Sequence, residues 1–216
     1  MGLLSWLPHR GTLPALPSLT EIAAGPGTPV VFLHGFLASP NNFELPLTAL
    51  IREGIPVAAP AYGDGGTARV DESFAQLVSA TQELLDASPT GRIDVVGHSL
   101  GGHLGLRLAH HYSPGTVRTL VGLGAAFRGV PYQGRPWLLH AAGIIAGPGV
   151  AEILRPEPWE ATVPADTRVV SIVSSADRVV PVSSAQLGEL VRIDGMIHEN
   201  LPQATGPVLE ALDWRP

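Results

Sequence analysis

Short apolar runs alternate with helical patterns along most of the chain, and this alternation limits the possible folds more than any other feature. Five runs have the length and β-branched content of buried strands: residues 30–33, 55–59, 93–96, 117–122 and 168–173. Residues 191–193 are a shorter strand candidate. Helices are predicted at residues 40–53, 71–87, 100–112, 183–191 and 205–214. Because no hairpin signature separates the runs, we predict a compact, doubly wound, mostly parallel α/β sheet flanked by helices.

The chain shows no internal repeat and no linker, which predicts a single domain over residues 30–216. Residues 1–29 are rich in Pro, Gly and Thr and are predicted to form an irregular N-terminal arm. The alternation also stops at about residues 127–163, where two tryptophans stand among several Pro and Gly. A long irregular insertion is usually functional or disordered. Its apolar content favours a wall or lid over a site, and an ordinary connecting helix with turns is the alternative.

The charge and the cysteine content exclude several classes of function. The net charge of −6 provides no basic surface for nucleic acid or for anionic lipid headgroups. Only 15% of the residues are charged, so a neutral or apolar substrate fits this chain better than a phosphorylated one. The chain has no cysteine, which excludes disulfides, thiolate metal sites and cysteine nucleophiles.

The N-terminal residues give no targeting signal. Residues 1–7 are apolar, but no Lys or Arg precedes them and Pro8 interrupts them, so no signal peptide is predicted. No stretch approaches the roughly 20 uninterrupted apolar residues of a membrane span. We expect no stable membrane insertion, and a protein that is cytoplasmic or was secreted with its signal removed. A monomer or weak homo-oligomer is expected.

The sequence Gly97-His98-Ser99-Leu100-Gly101 matches the Gly-x-Ser-x-Gly pattern of a nucleophile elbow. The pattern alone is weak, because about 0.2 chance matches are expected in a chain of this composition. Its position strengthens it, since a predicted strand precedes it and a predicted helix follows. Such a turn presents the serine at a helix N-terminus, where the helix dipole favours developing negative charge. We therefore predict Ser99 as a nucleophile.

A serine nucleophile needs a general base, and in this architecture the chain order is serine, then acid, then histidine. Five histidines follow the elbow: His103, His110, His111, His140 and His198. The first three lie on the predicted helix after the elbow and either point away from the serine or lie too far along the helix. His198 lies on a late loop, which is typical of a catalytic histidine. His140, in the insertion, is the remaining competitor.

Asp177 is predicted to be the orienting carboxylate. It follows the strand predicted at residues 168–173, at the carboxyl edge of the sheet, where sites assemble in α/β folds. Asp166 precedes that strand and is expected at the opposite edge. Asp194 is expected to close a turn with Gly195. A helix-cap or solvated loop aspartate is the alternative interpretation of Asp177.

Two backbone amides are predicted to bind the oxyanion of an acyl-transfer intermediate. One belongs to Leu100, the residue after the nucleophile. The other comes from the loop after the first strand, where His34-Gly35-Phe36 stands. Phe36 would supply this amide, and Gly35 would allow the unusual backbone geometry.

The chain resembles the lipase and esterase branch of the bacterial α/β-hydrolases, especially the compact actinobacterial class 2-type triacylglycerol lipases. The stretches that carry the resemblance are residues 30–36, 94–102, 117–124 and 174–181, with His198 on a final loop. The resemblance implies the α/β-hydrolase fold and hydrolysis of carboxylic esters by Ser99, Asp177 and His198.

We expect the reaction to pass through an acyl-enzyme, on small-molecule or lipid esters with an apolar acyl chain. Seven residues are expected to contact the substrate: His34, Gly35, His98, Phe127, Val130, Trp137 and Val179. A thioesterase, an amidase or an acyltransferase would need the same triad, and a non-catalytic binding protein on this scaffold is a remote alternative. No dinucleotide fingerprint, phosphate loop or zinc motif is present, so no cofactor and no metal are expected.

Overall fold

The computed structural model describes residues 11–214 and contains two parallel sheets. Its strands are β1 (Val30–Leu33), β2 (Val57–Ala58), β3 (Ile93–His98), β4 (Val117–Leu123), β5 (Val130–Pro131), β6 (Leu154–Arg155), β7 (Arg168–Ser174) and β8 (Glu189–Ile193). Six strands form the main sheet in the order β2-β1-β3-β4-β7-β8, and every neighbouring pair is parallel. The strands β5 and β6 pair separately. The predicted parallel α/β architecture is therefore confirmed.

Helices cover both faces of the main sheet. They are α1 (Leu19–Ala24), α2 (Glu44–Arg52), α3 (Gly63–Gly66), α4 (Val70–Ala87), α5 (Leu100–His111), α6 (Pro136–Ala146), α7 (Pro148–Ile153), α8 (Val182–Ala185) and α9 (Thr205–Leu212), with 3-10 helices at Pro40–Phe43 and His198–Gln203. Val95 of β3 belongs to the core formed with α4 and α5, whereas Val96 belongs to the core formed with α2 and α9. Because both faces are buried, the strands are nearly continuous apolar runs.

The direction of the strand order changes between β1 and β3. The chain leaves β1 toward β2 on one side and returns to β3 on the other side of β1. In α/β proteins, ligands bind at the carboxyl ends of the strands where the order changes in this way. Residues 34–36 follow β1 and Ser99 follows β3, so both predicted site segments lie at this point of the sheet.

The helix predicted at residues 183–191 is wrong. The helix α8 ends at Ala185, and β8 begins at Glu189 and pairs with β7. The cause is tertiary: the amide of Leu187 donates to Oγ of Ser171 (2.8 Å), and that hydroxyl donates back to the Leu187 carbonyl (2.6 Å). Gly188 then turns the chain with a φ angle of +65°. Apolar residues at 187, 190 and 191 fit a helix by spacing, but sheet pairing decides their structure.

The predicted irregular arm contains a helix. Ser18 caps α1 by accepting from the Glu21 amide, and the Glu21 carboxylate accepts from the Ser18 amide at 2.7 Å. This reciprocal capping box is visible in the sequence as Ser-x-x-Glu, a signal that the interpretation of the arm overlooked. Residues 1–10 of the predicted arm lie outside the described residues.

The insertion at residues 127–163 is also more regular than predicted. It contains β5, α6, α7 and β6. The helix α6 carries no buried residue, and Ile145 on it is 85% exposed. The helix α7 packs closely on the chain before α4, since a Cβ atom on Gly149 would lie 2.5 Å from the Ala68 carbonyl oxygen. Within residues 11–214, no helix combines the length and the apolar content that crossing a bilayer requires.

Candidate active site

Ser99 lies at the sharp turn between β3 and α5. Its φ and ψ angles are 51° and −118°, outside the regions that most non-glycine residues adopt. Two glycines make the turn sterically possible. A Cβ atom on Gly97 would lie 2.5 Å from the Gly101 carbonyl oxygen, and one on Gly101 would lie 2.1 Å from that of Leu33. The Gly-x-Ser-x-Gly pattern therefore has the backbone geometry of a strained strand-to-helix turn.

Asp177 and His198 form a buried hydrogen-bonded pair. Nδ1 of His198 lies 2.8 Å from Oδ2 of Asp177. The second carboxylate oxygen, Oδ1, accepts from the backbone amides of Val179 and Val180 at 2.8 and 3.0 Å. The loop after β7 thus holds the carboxylate in place from one side while the histidine binds it from the other.

The charge of Asp177 follows from these contacts. Burial by itself would raise the pKa of this carboxyl, but the hydrogen bond from His198 and the two backbone amides outweigh it and hold the pKa below its usual value. The carboxylate is therefore ionised at neutral pH and accepts a hydrogen bond from Nδ1–H of His198. The His198 tautomer with its proton on Nδ1 has a free lone pair on Nε2, which is the form that a general base needs.

Two contacts bring this pair next to the elbow. The ring of His98, which precedes the serine, lies 4.6 Å from the ring of His198, and its Nε2 lies 3.0 Å from the His198 carbonyl oxygen. The amide of Ser99 donates to the Leu123 carbonyl at 3.2 Å, and Gly124 follows directly. A Cβ atom on Gly124 would lie 2.7 Å from Oδ2 of Asp177.

The other histidines that follow the elbow have different surroundings. The ring of His103 stacks on Trp159 at 3.9 Å, and its Nδ1 lies 3.3 Å from the Phe127 carbonyl oxygen. The competitor His140 is exposed on α6. The histidine that hydrogen-bonds Asp177 is His198, which begins a 3-10 helix rather than lying in the open loop that the sequence predicted.

The loop after β1 packs directly against the elbow. A Cβ atom on Gly35 would lie 2.9 Å from Nδ1 of His98 and 3.1 Å from Cβ of Ser99, so a larger residue there would press on the elbow. Phe36 follows half-buried, and Leu100 begins α5. The structure thus brings the two predicted oxyanion segments to the same edge of the sheet as Ser99.

Tyr62 supports this loop and was missed by the sequence analysis. Its hydroxyl donates to the His34 carbonyl, and its ring stacks on that of His34 with 4.1 Å between centroids. Burial raises the pKa of Tyr62, so the hydroxyl stays protonated and remains a donor. The available signal was its position just after a predicted strand, at the same sheet edge as the elbow.

Four of the seven residues expected to contact the substrate are buried. They are His34, Gly35, His98 and Phe127. Phe127 is fully buried because Gly122 leaves space for its ring, 2.6 Å from where a Cβ atom would lie. His34 and His98 are 1% and 5% exposed and contact Tyr62 and His198. Ser99 and His198 are themselves only 7% exposed, and the contact of these three side chains with a substrate stays a prediction.

The remaining three residues have different environments. Val130 is half-buried in β5 and packs against the core. Trp137 is exposed on α6, and Val179 is exposed two residues after Asp177. Their contact with a substrate remains a prediction. Within residues 11–214, no group of three or more His, Asp or Glu side chains is arranged to hold a metal ion.

Gly124→Ala is expected to lower kcat/KM for an ester substrate by about 50-fold, because the new methyl group would displace Asp177 from His198. Gly124 has a φ angle of +49°, so some stability is lost as well. Gly195→Ala is the matched control: its φ angle is +75°, yet a Cβ atom there meets nothing within 4 Å. Steady-state kinetics and thermal unfolding of both variants check this. Equal activity losses in the two variants would contradict the steric explanation.

Comparisons with known proteins agree with this arrangement at the level of the family. A model described as "Alpha/beta hydrolase family" matches residues 30–212. The "Dihydrolipoyllysine-residue acetyltransferase component of acetoin cleaving system" of Pseudomonas putida is 32% identical over 121 residues, which cover 53% of this chain and 32% of that protein. "Putative carbamate hydrolase RutD" of Escherichia coli O1:K1 / APEC is 34% identical over 124 residues, which cover 53% of this chain and 46% of that protein. The matches thus span less than half the length of these relatives.

Solved structures share the fold. The mature form of Bacillus licheniformis lipase BlEst2 superposes with a TM-score of 0.67 at 17% sequence identity, covering 86% of this chain and 91% of that one. At this identity the likeness shows a common fold. The family model, by contrast, covers most of the chain, and it includes the elbow, the Asp177 loop and His198. The protein belongs to the alpha/beta hydrolase family.

Proposed function

We propose that the protein is a carboxylic ester hydrolase that uses Ser99 as nucleophile, His198 as general base and Asp177 as the group that orients it. The observation that carries the proposal is the buried hydrogen bond between His198 and the ionised Asp177, 2.8 Å long, beside a serine on a strained turn. Serine is a weak nucleophile at neutral pH and needs an oriented base of this kind. The strained backbone of this polar residue further supports a catalytic role.

The reaction follows from the positions of these groups. Oγ of Ser99 attacks the ester carbonyl carbon while its proton passes to Nε2 of His198. The amides of Leu100 and Phe36 bind the oxyanion of the tetrahedral intermediate. When the intermediate collapses, His198 gives its proton to the departing alcohol, and the acyl group stays on Ser99. Water then attacks the acyl-enzyme while His198 takes one of its protons. When the second tetrahedral intermediate collapses, His198 returns this proton to Oγ of Ser99 and the carboxylic acid is released.

Apolar side chains near these residues support an apolar acyl group as substrate. Leu37 follows the Phe36 amide, Val179 follows Asp177, and Ile197 precedes His198; all three are exposed. Exposed apolar residues beside a site support binding of an apolar group. The insertion would extend this apolar surface through Trp137 on α6, as the predicted wall or lid.

The similar proteins support the general chemistry and leave the bond type open. The structural neighbour is a lipase, and one relative carries the name of a carbamate hydrolase. Esters, thioesters and amides can all react through an acyl-enzyme on the same triad. We propose esters because the environment of the site is apolar and because the chain resembles compact lipases.

The proposal is tested by hydrolysis of p-nitrophenyl esters with acyl chains of two to sixteen carbons, beside matched thioesters and amides. We expect ester turnover to exceed amide turnover and to depend on chain length. Active-site labelling by a p-nitrophenyl phosphonate should modify Ser99, as read by peptide mass spectrometry. A folded protein that hydrolyses none of these esters and gains no phosphonate adduct would overturn the proposal. If the protein turns over only thioesters or only amides, that class, and not esters, is its substrate class.

A further inference from the structure

We propose that His98 is a positioning residue, which holds the backbone of His198 in place relative to Ser99. The inference rests on the proposed function, because it assigns a role in a reaction that Ser99 and His198 carry out. His98 is 5% exposed, and its contacts include the segment that carries the general base.

The contact between the two histidines has a defined polarity. Nε2 of His98 lies 3.0 Å from the carbonyl oxygen of His198, and a carbonyl oxygen can only accept. Nε2 therefore carries the proton and donates it. The rings also pack on each other, with 4.6 Å between centroids and an angle of 41° between planes. His98 thus contacts both the main chain and the side chain of the predicted base.

The opposite nitrogen of His98 shows that this histidine is not simply a well-satisfied core residue. With the proton on Nε2, Nδ1 is a bare acceptor, and it is buried without a hydrogen-bond partner among residues 11–214. A Cβ atom on Gly35 would lie 2.9 Å from this nitrogen. Burying an unsatisfied acceptor costs free energy that an apolar side chain would avoid. A histidine here is better explained by the one bond that it makes to His198.

The position of His98 on β3 explains how it can act on both reacting groups. Successive side chains of a strand point to opposite faces, so His98 shares a face with Val96, on the side of the sheet covered by α9. Its neighbour Ser99 is held by the elbow. The end of β3 therefore positions Ser99 through the backbone and His198 through the hydrogen bond from Nε2 of His98 to the His198 carbonyl.

Asp177 and His98 hold His198 in different ways. Asp177 binds Nδ1 and fixes the rotation of the ring, whereas His98 binds the carbonyl and fixes the main chain that carries the ring. With both in place, Nε2 of His198 has little freedom relative to Oγ of Ser99. Small misplacements of this kind are costly, since about 1 Å can lower a rate by about 100-fold.

The neutral state of His98 is compatible with this role. Burial, and to a lesser degree the nearby His198, holds the pKa of His98 well below its usual range. His98 therefore stays uncharged while His198 becomes an imidazolium during turnover. Two cationic rings this close would repel each other and oppose proton transfer from Ser99.

The test compares three substitutions in the full-length protein. His98→Gln places an amide donor near the former Nε2, so it can still reach the His198 carbonyl. His98→Asn is shorter and places its donor near the former Nδ1, and His98→Leu has no donor. We expect kcat for a p-nitrophenyl ester to fall by about 30-fold in the Asn and Leu variants, with KM changed less than about twofold. We expect the Gln variant to stay within about fivefold of wild type.

A second buried histidine provides the control for stability. His103 donates through Nδ1 to the Phe127 carbonyl and stacks on Trp159, so His103→Leu removes a comparable set of contacts, none of them to His198. This variant is expected to lower the melting temperature and to leave kcat unchanged. Equal kcat losses in His103→Leu and His98→Leu would overturn the proposal, and so would a Gln variant no more active than the Asn variant. If His98→Leu fails to fold, the comparison of kcat between the Gln and Asn variants still tests the proposal.

The experiment separates this inference from the proposed function. If the proposed function fails, the wild-type protein itself hydrolyses none of the esters and gains no phosphonate adduct. If only the positioning role fails, the wild-type protein is active and the Asn and Leu variants retain its kcat. The rate of phosphonate labelling of Ser99 provides a second measure that does not depend on deacylation, and it should fall in parallel with kcat.

Discussion

Ser99→Ala is expected to lower kcat/KM for p-nitrophenyl esters by about 10⁵-fold, which corresponds to about 7 kcal/mol of transition-state stabilisation. The substitution removes one oxygen atom and leaves the backbone of the elbow unchanged. Without Oγ no acyl-enzyme can form, and His198 has no nucleophile to activate. Any residual rate would come from the oxyanion site acting on water. Initial rates at saturating and limiting ester concentration measure the effect.

The control for this result is Ser79→Ala, which changes an exposed serine on α4. It should retain wild-type activity and wild-type labelling by the phosphonate. The Ser99→Ala variant should gain no phosphonate adduct, and its circular dichroism spectrum and melting temperature should stay close to those of the wild type. A folded Ser99→Ala variant that loses less than about 100-fold in activity would exclude Ser99 as the nucleophile.

The parts of this molecule that were predictable from sequence are those encoded by local patterns. The strands β1, β3, β4 and β7 are apolar on both faces, so they stand out as short continuous runs. The elbow is recognisable because Gly97 and Gly101 are needed for steric reasons at fixed distances from Ser99. Asp177 follows directly from its place at the end of a predicted strand.

The parts that were missed depend on contacts between distant segments. The hydroxyl of Tyr62 donates to the His34 carbonyl, and the absence of a side chain at Gly124 leaves space for the Asp177–His198 pair. Neither residue belongs to the Gly-x-Ser-x-Gly motif. Phe127 stands at the start of the insertion in the sequence, but the space left by Gly122 draws its ring into the core. These contacts can be predicted only when the order of the strands in the sheet is known.

The edge of the sheet was the least predictable region. The strand β8 is covered less completely than the central strands, and its side chains are half-buried or exposed. Its apolar residues therefore alternate less regularly with polar ones than in a typical half-buried strand. Their spacing also fits a helix. Pairing with β7, anchored by Ser171, selects the strand. Tertiary hydrogen bonds override local propensity in such cases.

Asp177→Asn is expected to lower kcat by about 10⁴-fold while changing KM little, because it reverses the hydrogen bond that orients His198. An asparagine that keeps its bonds from the Val179 and Val180 amides through Oδ1 must present its NH₂ group to Nδ1 of His198. That donor favours the tautomer with the proton on Nε2. The lone pair that should accept the proton of Ser99 is then missing.

The matched control is Asp194→Asn, the other aspartate close to His198 in the sequence. Asp194 is exposed in the turn before Gly195, so its substitution should leave kcat within about twofold of wild type. The two variants carry the same change in net charge. A loss in Asp194→Asn equal to that in Asp177→Asn would therefore point to long-range charge rather than to orientation of the histidine.

The pH dependence of stability gives a second, independent measure of Asp177. Because the folded pKa of this carboxyl lies below its usual value near 4, its ionised form stabilises the fold at pH above that value. As pH falls through the lowered folded pKa, Asp177 becomes protonated and this contribution is lost. The difference in unfolding free energy between wild type and Asp177→Asn should therefore shrink as pH falls below about 4. A difference that stays constant from pH 7 to pH 3 would mean that the His198 contact does not stabilise the carboxylate, and the orientation argument would lose its physical basis.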